Sequence, residues 1–191
     1  LSDDTPSIFD IEKAVIRRVS SVGGGIHRLE LLPSSIRLIE IQDEIPLIAL
    51  KGNFSNNPLE ILKRAIAPIV DGYDYVLIDC PPSLGTITKN GLRISSGYVI
   101  PTIPDILSTW GLYQIVHSIR KFATEIDHDI EPLGIVASKV RANDLHRRIC
   151  EDLANHRLGR FSENNAGVRQ PDLFGARIPD AVSVARSAET E

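Results

Sequence analysis

The chain has 191 residues, of which 42% are hydrophobic and 24% are charged, and its formal net charge is -4. This composition is typical of one globular domain, and the acidic balance excludes a polycation that would bind nucleic acid with its whole surface. No apolar run approaches the roughly 20 residues of a membrane-spanning helix, and no signal-peptide pattern opens the chain.

The N-terminal part predicts short elements that are separated by turn residues. Apolar residues at helical spacing follow Thr5 and Pro6, which suit the cap and the first position of a helix. Pro33 ends a strand-like run, and Ser34 or Ser35 can cap the helix that follows. The expected elements are a helix over 5–18, a strand over 26–32, a short helix over 36–41, and a helix that begins at Asn57-Pro58 and reaches Ile66.

From Tyr75 onward, strands and helices alternate. The continuous apolar run 75–78 predicts a strand that is covered on both faces, as in the centre of a parallel sheet. The later elements are a helix over 86–93, a strand over 98–100, a helix over 108–125, a strand over 133–138, a helix over 144–155, a surface loop over 160–172 and a strand over 176–178. This order predicts an α/β fold, a mostly parallel twisted sheet with helices on both faces, in one domain over 1–191.

Asp79 directly follows the apolar run and precedes Pro81-Pro82. A carboxylate in this place lies at the carboxyl edge of a strand, where ligands bind in open α/β sheets. In enzymes with a phosphate-binding loop (P-loop), the aspartate at this edge, called Walker B, holds Mg²⁺, usually through water. By itself, however, the pattern more often marks an ordinary strand end.

The segment 73–85, YDYVLIDCPPSLG, resembles the region of ParA-type partition ATPases in which the Walker-B strand continues into the switch segment. The resemblance spans essentially the whole chain, with further matches at 31–34, 90–93, 98–105, 107–112, 132–136 and 177–180. It implies a P-loop NTPase-like fold, ATP and Mg²⁺ as cofactors, and an ATP-dependent homodimer that binds DNA non-specifically. It also implies plasmid or chromosome partition, a ParB-like adaptor that stimulates hydrolysis, and a cytoplasmic, nucleoid-associated location without a membrane partner.

The family's nucleotide-binding positions correspond to seven residues here: Asp79, Pro81, Pro82, Ser138, Lys139, Pro179 and Asp180. The resemblance implies that Asp79 holds Mg²⁺ through water and that the two neighbouring prolines belong to the switch segment, which responds to the γ-phosphate. The other four positions are implied to lie around the adenine base. Strand-end polar residues and Pro-Asp turns are common, so an ordinary turn is an equal alternative for those four.

The family's KGGxGK[ST] loop has no counterpart in this sequence. The only glycine cluster, 23–25, precedes a strand and has no lysine after it, so it predicts a turn and no phosphate site. Because the chain begins with Leu1 and contains no methionine, we expect the P-loop and the first strands upstream, and we expect the domain to be incomplete at both ends. No catalytic residue is identified: we expect the intact protein to hydrolyse ATP and these 191 residues alone to be inactive.

Seven arginines are candidates for contacts to DNA phosphates: Arg141, Arg147, Arg148, Arg157, Arg160, Arg169 and Arg186. The densest group is Arg147-Arg148 on a predicted helix. Non-specific binding needs several such contacts together, and an ordinary solvated helix face is the alternative for each arginine. The two cysteines, Cys80 and Cys150, form no CxxC pair and have no histidine at metal-ligand spacing, so we expect free thiols in a reducing cytoplasm.

Three other functions remain open. A degenerate ParA-like module without a P-loop would act through protein contacts. A MinD-like membrane-associated ATPase would need a C-terminal amphipathic helix, and the short, acidic end at 181–191 argues against one. An amidotransferase-type synthetase of the same superfamily is disfavoured because Pro101-Thr102-Ile103-Pro104 resembles the partition proteins.

Overall fold

The computed structural model describes residues 10–19, 28–35, 37–41, 45, 57–162 and 168–181. Contacts divide the chain into two compact units, residues 1–94 and 95–191, and each is described by itself. The helices are α1 (Ile11–Ala14), α2 (Arg37–Ile41), α3 (Ile61–Ile66), α4 (Thr86–Ile94), α5 (Ile106–Glu125), α6 (Asp144–Ala154) and α7 (Gly159–Ser162). The strands are β1 (Ile16–Arg17), β2 (Glu30–Leu31), β3 (Gly97–Thr102), β4 (Glu131–Val140) and β5 (Leu173–Pro179).

The first unit opens with a helical turn and an antiparallel strand pair. The predicted helix over 5–18 is wrong at its end, because α1 stops at Ala14 and β1 pairs with β2, Ile16 with Leu31 and Arg17 with Glu30. β-branched side chains at this point favour the paired, extended backbone over another helical turn. The predicted strand over 26–32 is reduced to β2 within the described residues. The cap at Ser35 is confirmed, since its hydroxyl oxygen accepts from the Arg37 amide at 3.3 Å.

Helices α3 and α4 pack together through a buried asparagine. α3 begins at Ile61, later than expected, because the predicted start at Asn57 forms a turn in which the Asn57 side chain accepts from the Leu59 amide at 2.9 Å. The Asn90 side chain on α4 accepts from the Leu62 amide at 3.1 Å and donates to the Pro58 carbonyl at 2.8 Å. One side chain therefore forms hydrogen bonds with backbone groups that have no partner within the helix at the start of α3, and it links that start to α4.

The apolar run 75–78 does not form the predicted central strand. It is neither helix nor strand, and the side chains of Tyr75 and Leu77 are 88% and 94% exposed. A β-strand exists only where a neighbouring strand pairs with its amide and carbonyl groups. Among the residues that the structure describes, no strand pairs with this run, so the prediction of a buried strand is wrong.

The second unit contains a parallel three-stranded sheet in the order β3-β4-β5. Ile100 of β3 pairs with Ile135 of the central strand β4, and Ile135 and Ala137 are fully buried. Leu112 on α5 belongs to the same core cluster as these isoleucines. Gly134 has a φ of 155°, and a Cβ there would lie 2.9 Å from the Phe174 ring, so only glycine fits. The predicted α/β class, with a parallel sheet and helices packed on it, is confirmed.

The segment predicted as a surface loop over 160–172 is partly structured and partly buried. Its beginning belongs to α7, and Val168 and Gln170 are buried. The Gln170 side chain donates to the Leu153 carbonyl at the end of α6, at 2.7 Å. Polar composition predicted exposure here, but one hydrogen bond to a helix end and the burial of Val168 hold this segment on the core.

Candidate nucleotide-binding site

Asp79 lies in an irregular segment of the first unit, and its side chain is exposed. The residues on both sides of it contact α4. A Cβ at Gly91 would lie 3.1 Å from the Cys80 sulfur and 3.2 Å from a methyl carbon of Ile78, so the chain passes α4 at close range. The sequence thus places Asp79 at a point where the backbone is held and the carboxylate still faces solvent.

The segment after Asp79, which the resemblance predicts to be the switch, is fastened to α4 by a hydroxyl group. Thr88 is buried, and its hydroxyl donates to the Ser83 carbonyl and lies 3.4 Å from that of Pro81. The side chains of Pro81 and Pro82 are exposed. The two predicted switch prolines are therefore exposed, while the backbone just after them is held by the hydroxyl of Thr88 on α4.

The Asp79 carboxylate makes no hydrogen bond or ion pair within the part of the chain that the structure describes. In the same described part, no group of three or more His, Cys, Asp or Glu side chains could hold a metal ion. A single free carboxylate fits the role expected for Asp79, which is to hold Mg²⁺ through a water molecule. Partial burial raises the pKa of the neighbouring Cys80 thiol above its usual range, and the Asp79 charge raises that pKa further.

In the second unit, the carboxyl edge of the sheet collects the other four predicted positions. The Ser138 hydroxyl donates to the Thr102 carbonyl at 3.3 Å, which links the ends of β4 and β3. Lys139 has an exposed side chain and a φ of 50°, a left-handed conformation that non-glycine residues seldom adopt. Such strain at a strand end occurs often at binding sites, where the surrounding structure enforces it.

The end of β5 closes onto the end of β4. Pro179 pairs with Val140, and the Asp180 amide donates to the Val140 carbonyl at 3.0 Å. The Asp180 carboxylate forms an ion pair with the Arg141 guanidinium at 2.7 Å. These contacts fix the loop after β5 beside the loop after β4.

An open pocket with a volume of about 610 Å³ lies at this carboxyl edge of the sheet. Its wall is formed by the loop 140–144, by His146 and Arg147 on α6, and by Arg177 and Pro179 on β5. The carboxyl edge is where α/β sheets bind ligands, because the loops that follow parallel strands meet there. Two of the three arginines in this wall are paired, Arg141 with Asp180 and Arg147 with Asp144. Arg177 has no ion pair among the described residues, so it favours an anionic or electron-rich planar ligand.

The pocket wall is held by a cap that the sequence prediction did not identify. The Asn143 side chain accepts from the His146 amide at 2.8 Å and so begins α6. The buried His146 ring accepts the Arg141 amide at Nδ1, at 3.2 Å, which places the proton of the neutral ring on Nε2. Asn143 directly precedes the predicted helix and is a typical cap residue, so the sequence could have indicated this wall. No local pattern marked Arg177 as a pocket residue.

The seven predicted nucleotide positions are therefore divided. Asp79, Pro81 and Pro82 belong to the first unit, and the other four surround the pocket edge of the second. Of these four, only Pro179 lines the pocket itself.

The arginines predicted for DNA have different environments. Arg141 and Arg147 line the pocket and are paired with Asp180 and Asp144. Three others are exposed: Arg148, Arg157 and Arg169. The Arg160 side chain and Arg186 lie outside what the structure describes. No described helix is long and apolar enough to cross a membrane.

A model of the AAA domain family matches residues 6–132, more than half of the chain. The chain is 29% identical to the sporulation initiation inhibitor protein Soj of Bacillus subtilis over 140 residues, 73% of this chain and 49% of that protein. It is 35% identical to the chromosome partitioning protein ParA of Myxococcus xanthus over 92 residues, 47% of this chain and 32% of that protein. An uncharacterized protein of Mycobacterium tuberculosis is 33% identical over 123 residues, 64% of this chain and 36% of that protein. The chain thus spans about a third to a half of these relatives.

Solved structures share the fold. The cobyrinic acid a,c-diamide synthase of Mycobacterium smegmatis, with bound ADP and magnesium, superposes with a TM-score of 0.67 at 22% identity, over 95% of this chain and 69% of that one. A plasmid partition protein of Borrelia burgdorferi gives a TM-score of 0.63 at 19% identity, over 92% of this chain and 61% of that one. The chain belongs to the AAA domain family and has the α/β fold of P-loop NTPases. Its relatives include proteins named for chromosome partitioning and for the inhibition of sporulation initiation.

Proposed function

We propose that this chain is part of an ATP-dependent DNA partition protein. In this proposal, a phosphate-binding loop encoded upstream of Leu1 holds the phosphates, and Asp79 holds Mg²⁺ through water. The pocket at the carboxyl edge of the second unit takes the adenine base. When bound, the metal offsets the negative charge of the β- and γ-phosphates.

The position of Asp79 carries the proposal. The carboxylate is exposed, while the chain on either side of it is fixed against α4 by Gly91 and Thr88. A residue that merely ended a strand would need no such anchoring. A metal ligand does, because a carboxylate must stay within a few tenths of an ångström of its place to be effective.

The pocket supports the placement of the base. The strand ends beside it carry the left-handed backbone at Lys139 and the hydrogen bond from the Asp180 amide to the Val140 carbonyl. The Arg177 guanidinium lines the pocket without an ion pair among the described residues, so it is available to stack on a base or to meet a phosphate.

The role of Asp79 is tested by Asp79→Ala in the protein that includes the upstream loop. We expect ATP turnover to fall by on the order of a hundredfold or more, because the phosphate charge loses its metal, while the fold is retained. Asp74→Ala is the matched control, since Asp74 is also exposed and lies just before the apolar run. Turnover at the parental rate in Asp79→Ala would make Asp79 a surface residue with no catalytic role.

The base pocket is tested by Arg177→Gln, with Arg169→Gln as the control because Arg169 is exposed and does not line the pocket. We expect the dissociation constants of ATP and ADP to rise together, by on the order of tenfold. A fluorescent-nucleotide competition titration measures both constants. Equal affinities in Arg177→Gln and the parental protein would mean that the adenine base does not bind in this pocket.

The same proposal includes ATP-dependent dimerisation, non-specific DNA binding and a ParB-like adaptor. Light scattering and DNA anisotropy, each measured with and without ATP, test the first two. A change confined to one DNA sequence would contradict non-specific binding, because contacts to phosphates carry no sequence information.

The alternative is a ParA-like module without a P-loop. It is decided by the DNA upstream of Leu1, which encodes a lysine-bearing glycine loop if the ATPase proposal holds.

A further inference from the structure

Helix α4 contacts the segment that carries Asp79 on both sides of the carboxylate. Before and immediately after Asp79, Ile78 and Cys80 pass the helix at Gly91, where a Cβ would be too close to both. Further along, the Ser83 carbonyl accepts from the Thr88 hydroxyl. The segment is thus held at two separate places on one helix, and Asp79 lies at the first of them, between Ile78 and Cys80.

The hydrogen bond of Thr88 differs from those of threonines elsewhere in the described helices. The Thr109 hydroxyl donates to the Ile106 carbonyl and the Thr124 hydroxyl to the Arg120 carbonyl, so both bonds stay inside α5. Such bonds within a helix add little to tertiary structure. Thr88, in contrast, is buried and donates to a carbonyl that precedes its helix, so its hydroxyl links α4 to the switch segment.

We propose that Thr88 and Gly91 are positioning residues for the Asp79 carboxylate. Gly91 lets the segment approach α4 closely, and Thr88 fastens its continuation, so the two residues together limit where Asp79 can meet a metal ion. The metal role of Asp79 rests on the proposed function, whereas the anchoring of the segment does not. Neither Thr88 nor Gly91 contacts the reacting groups in this proposal.

The two cysteines provide the measurement. Cys80 lies in the anchored segment with its sulfur packed against α4 at Gly91, while Cys150 in the second unit is fully buried. The rate at which a maleimide labels each thiol in this chain, resolved by mass spectrometry, therefore reports local release at Cys80 and general unfolding at Cys150. We expect Thr88→Val to speed the labelling of Cys80 about fivefold, as the loss of one net hydrogen bond does, and to leave Cys150 unlabelled.

Matched variants separate the anchor from general destabilisation. Thr88→Ser keeps the hydroxyl and should restore the parental rate. Thr109→Val removes a buried threonine hydroxyl that bonds only within its helix, and it should leave Cys80 unchanged. Gly91→Ala should speed the labelling of Cys80, whereas Gly111→Ala, where a Cβ meets open space on α5, should not.

Unchanged labelling of Cys80 in Thr88→Val and Gly91→Ala would overturn the proposal, as would a parallel rise at Cys150. In the protein with the upstream loop, Thr88→Val should also raise the Mg²⁺ concentration for half-maximal ATP turnover several-fold, and Thr88→Ser should reverse that rise. Faster labelling with unaltered Mg²⁺ dependence would show that the anchor does not position Asp79, and would overturn the proposal. If the parental protein hydrolysed no ATP, only the proposed function would fail, because labelling needs no nucleotide.

Discussion

Asn90→Ala should destabilise the first unit more than the replacement of an exposed asparagine would destabilise the protein. The Asn90 side chain is buried and makes hydrogen bonds to the Leu62 amide, the Pro58 carbonyl and the Thr86 carbonyl. Alanine leaves the Leu62 amide and the Pro58 carbonyl without this partner at the start of α3. Each unsatisfied buried group costs about 1–1.5 kcal/mol, so we expect the free energy of unfolding to fall by about 2–3 kcal/mol.

Urea titration followed by circular dichroism measures this loss. Hydrogen exchange then locates it, because peptides from 57–94 should exchange faster while those from 95–154 should not. Asn155→Ala is the control, since Asn155 is exposed and donates a single bond to the Glu151 carbonyl. A loss below about 1 kcal/mol for Asn90→Ala would refute the reasoning, because it would mean that water replaces these bonds at little cost.

Three further predictions concern pH, nucleotide and DNA. The hydrogen bond from Arg93 holds the pKa of Glu60 below its usual range. This pair therefore stabilises the fold above the unfolded carboxyl pKa of about 4.3, and the stabilisation is lost as pH falls through the lowered folded pKa. Glu60→Gln should flatten the acid limb of a Tm-versus-pH profile. The 191-residue chain alone should give a flat calorimetric titration with a slowly hydrolysed ATP analogue and Mg²⁺, because it has no P-loop, and micromolar binding would mean that the phosphate site is misplaced. In the ATP-bound protein with the upstream loop, Arg148→Ala should weaken binding to any DNA duplex and make the slope of log K against log salt shallower by about one unit. Arg147→Ala should have a smaller effect, because Asp144 already pairs with Arg147. Equal effects of the two variants in an anisotropy titration would contradict this prediction.

Local signals in the sequence located the elements of the second unit well. Apolar spacing placed α5, α6 and the three parallel strands, and β3, β4 and β5 extend only a few residues beyond the predicted ends. Strand ends move because pairing continues wherever a neighbour offers amides and carbonyls. The ladder between β4 and β5 shifts its register twice, between Ile135 and Ala137 and between Ala137 and Val140, and no local pattern predicted these shifts.

The candidate site was predictable in part. The string around Asp79 indicated the family, and the switch role of Pro81 and Pro82 stays a prediction. The sequence did not reveal that Thr88 and Asn90, two positions apart in α4, anchor different partners: Thr88 bonds to the Ser83 carbonyl, and Asn90 bonds to the start of α3. It offered Arg141 as a candidate for DNA, which stays a prediction, and it did not reveal the ion pair of Arg141 with Asp180 beside the pocket.

What the sequence determined by itself is the class of fold and the family. Those properties follow from the order of local patterns along the chain, so they need no knowledge of which distant residues are in contact. Tertiary structure alone decided the state of the apolar run 75–78, whose hydrophobicity predicted a buried strand but whose backbone has no pairing strand among the described residues. Strand formation and pocket shape depend on partners that are far apart in the chain, and no local pattern fixes which partner is present.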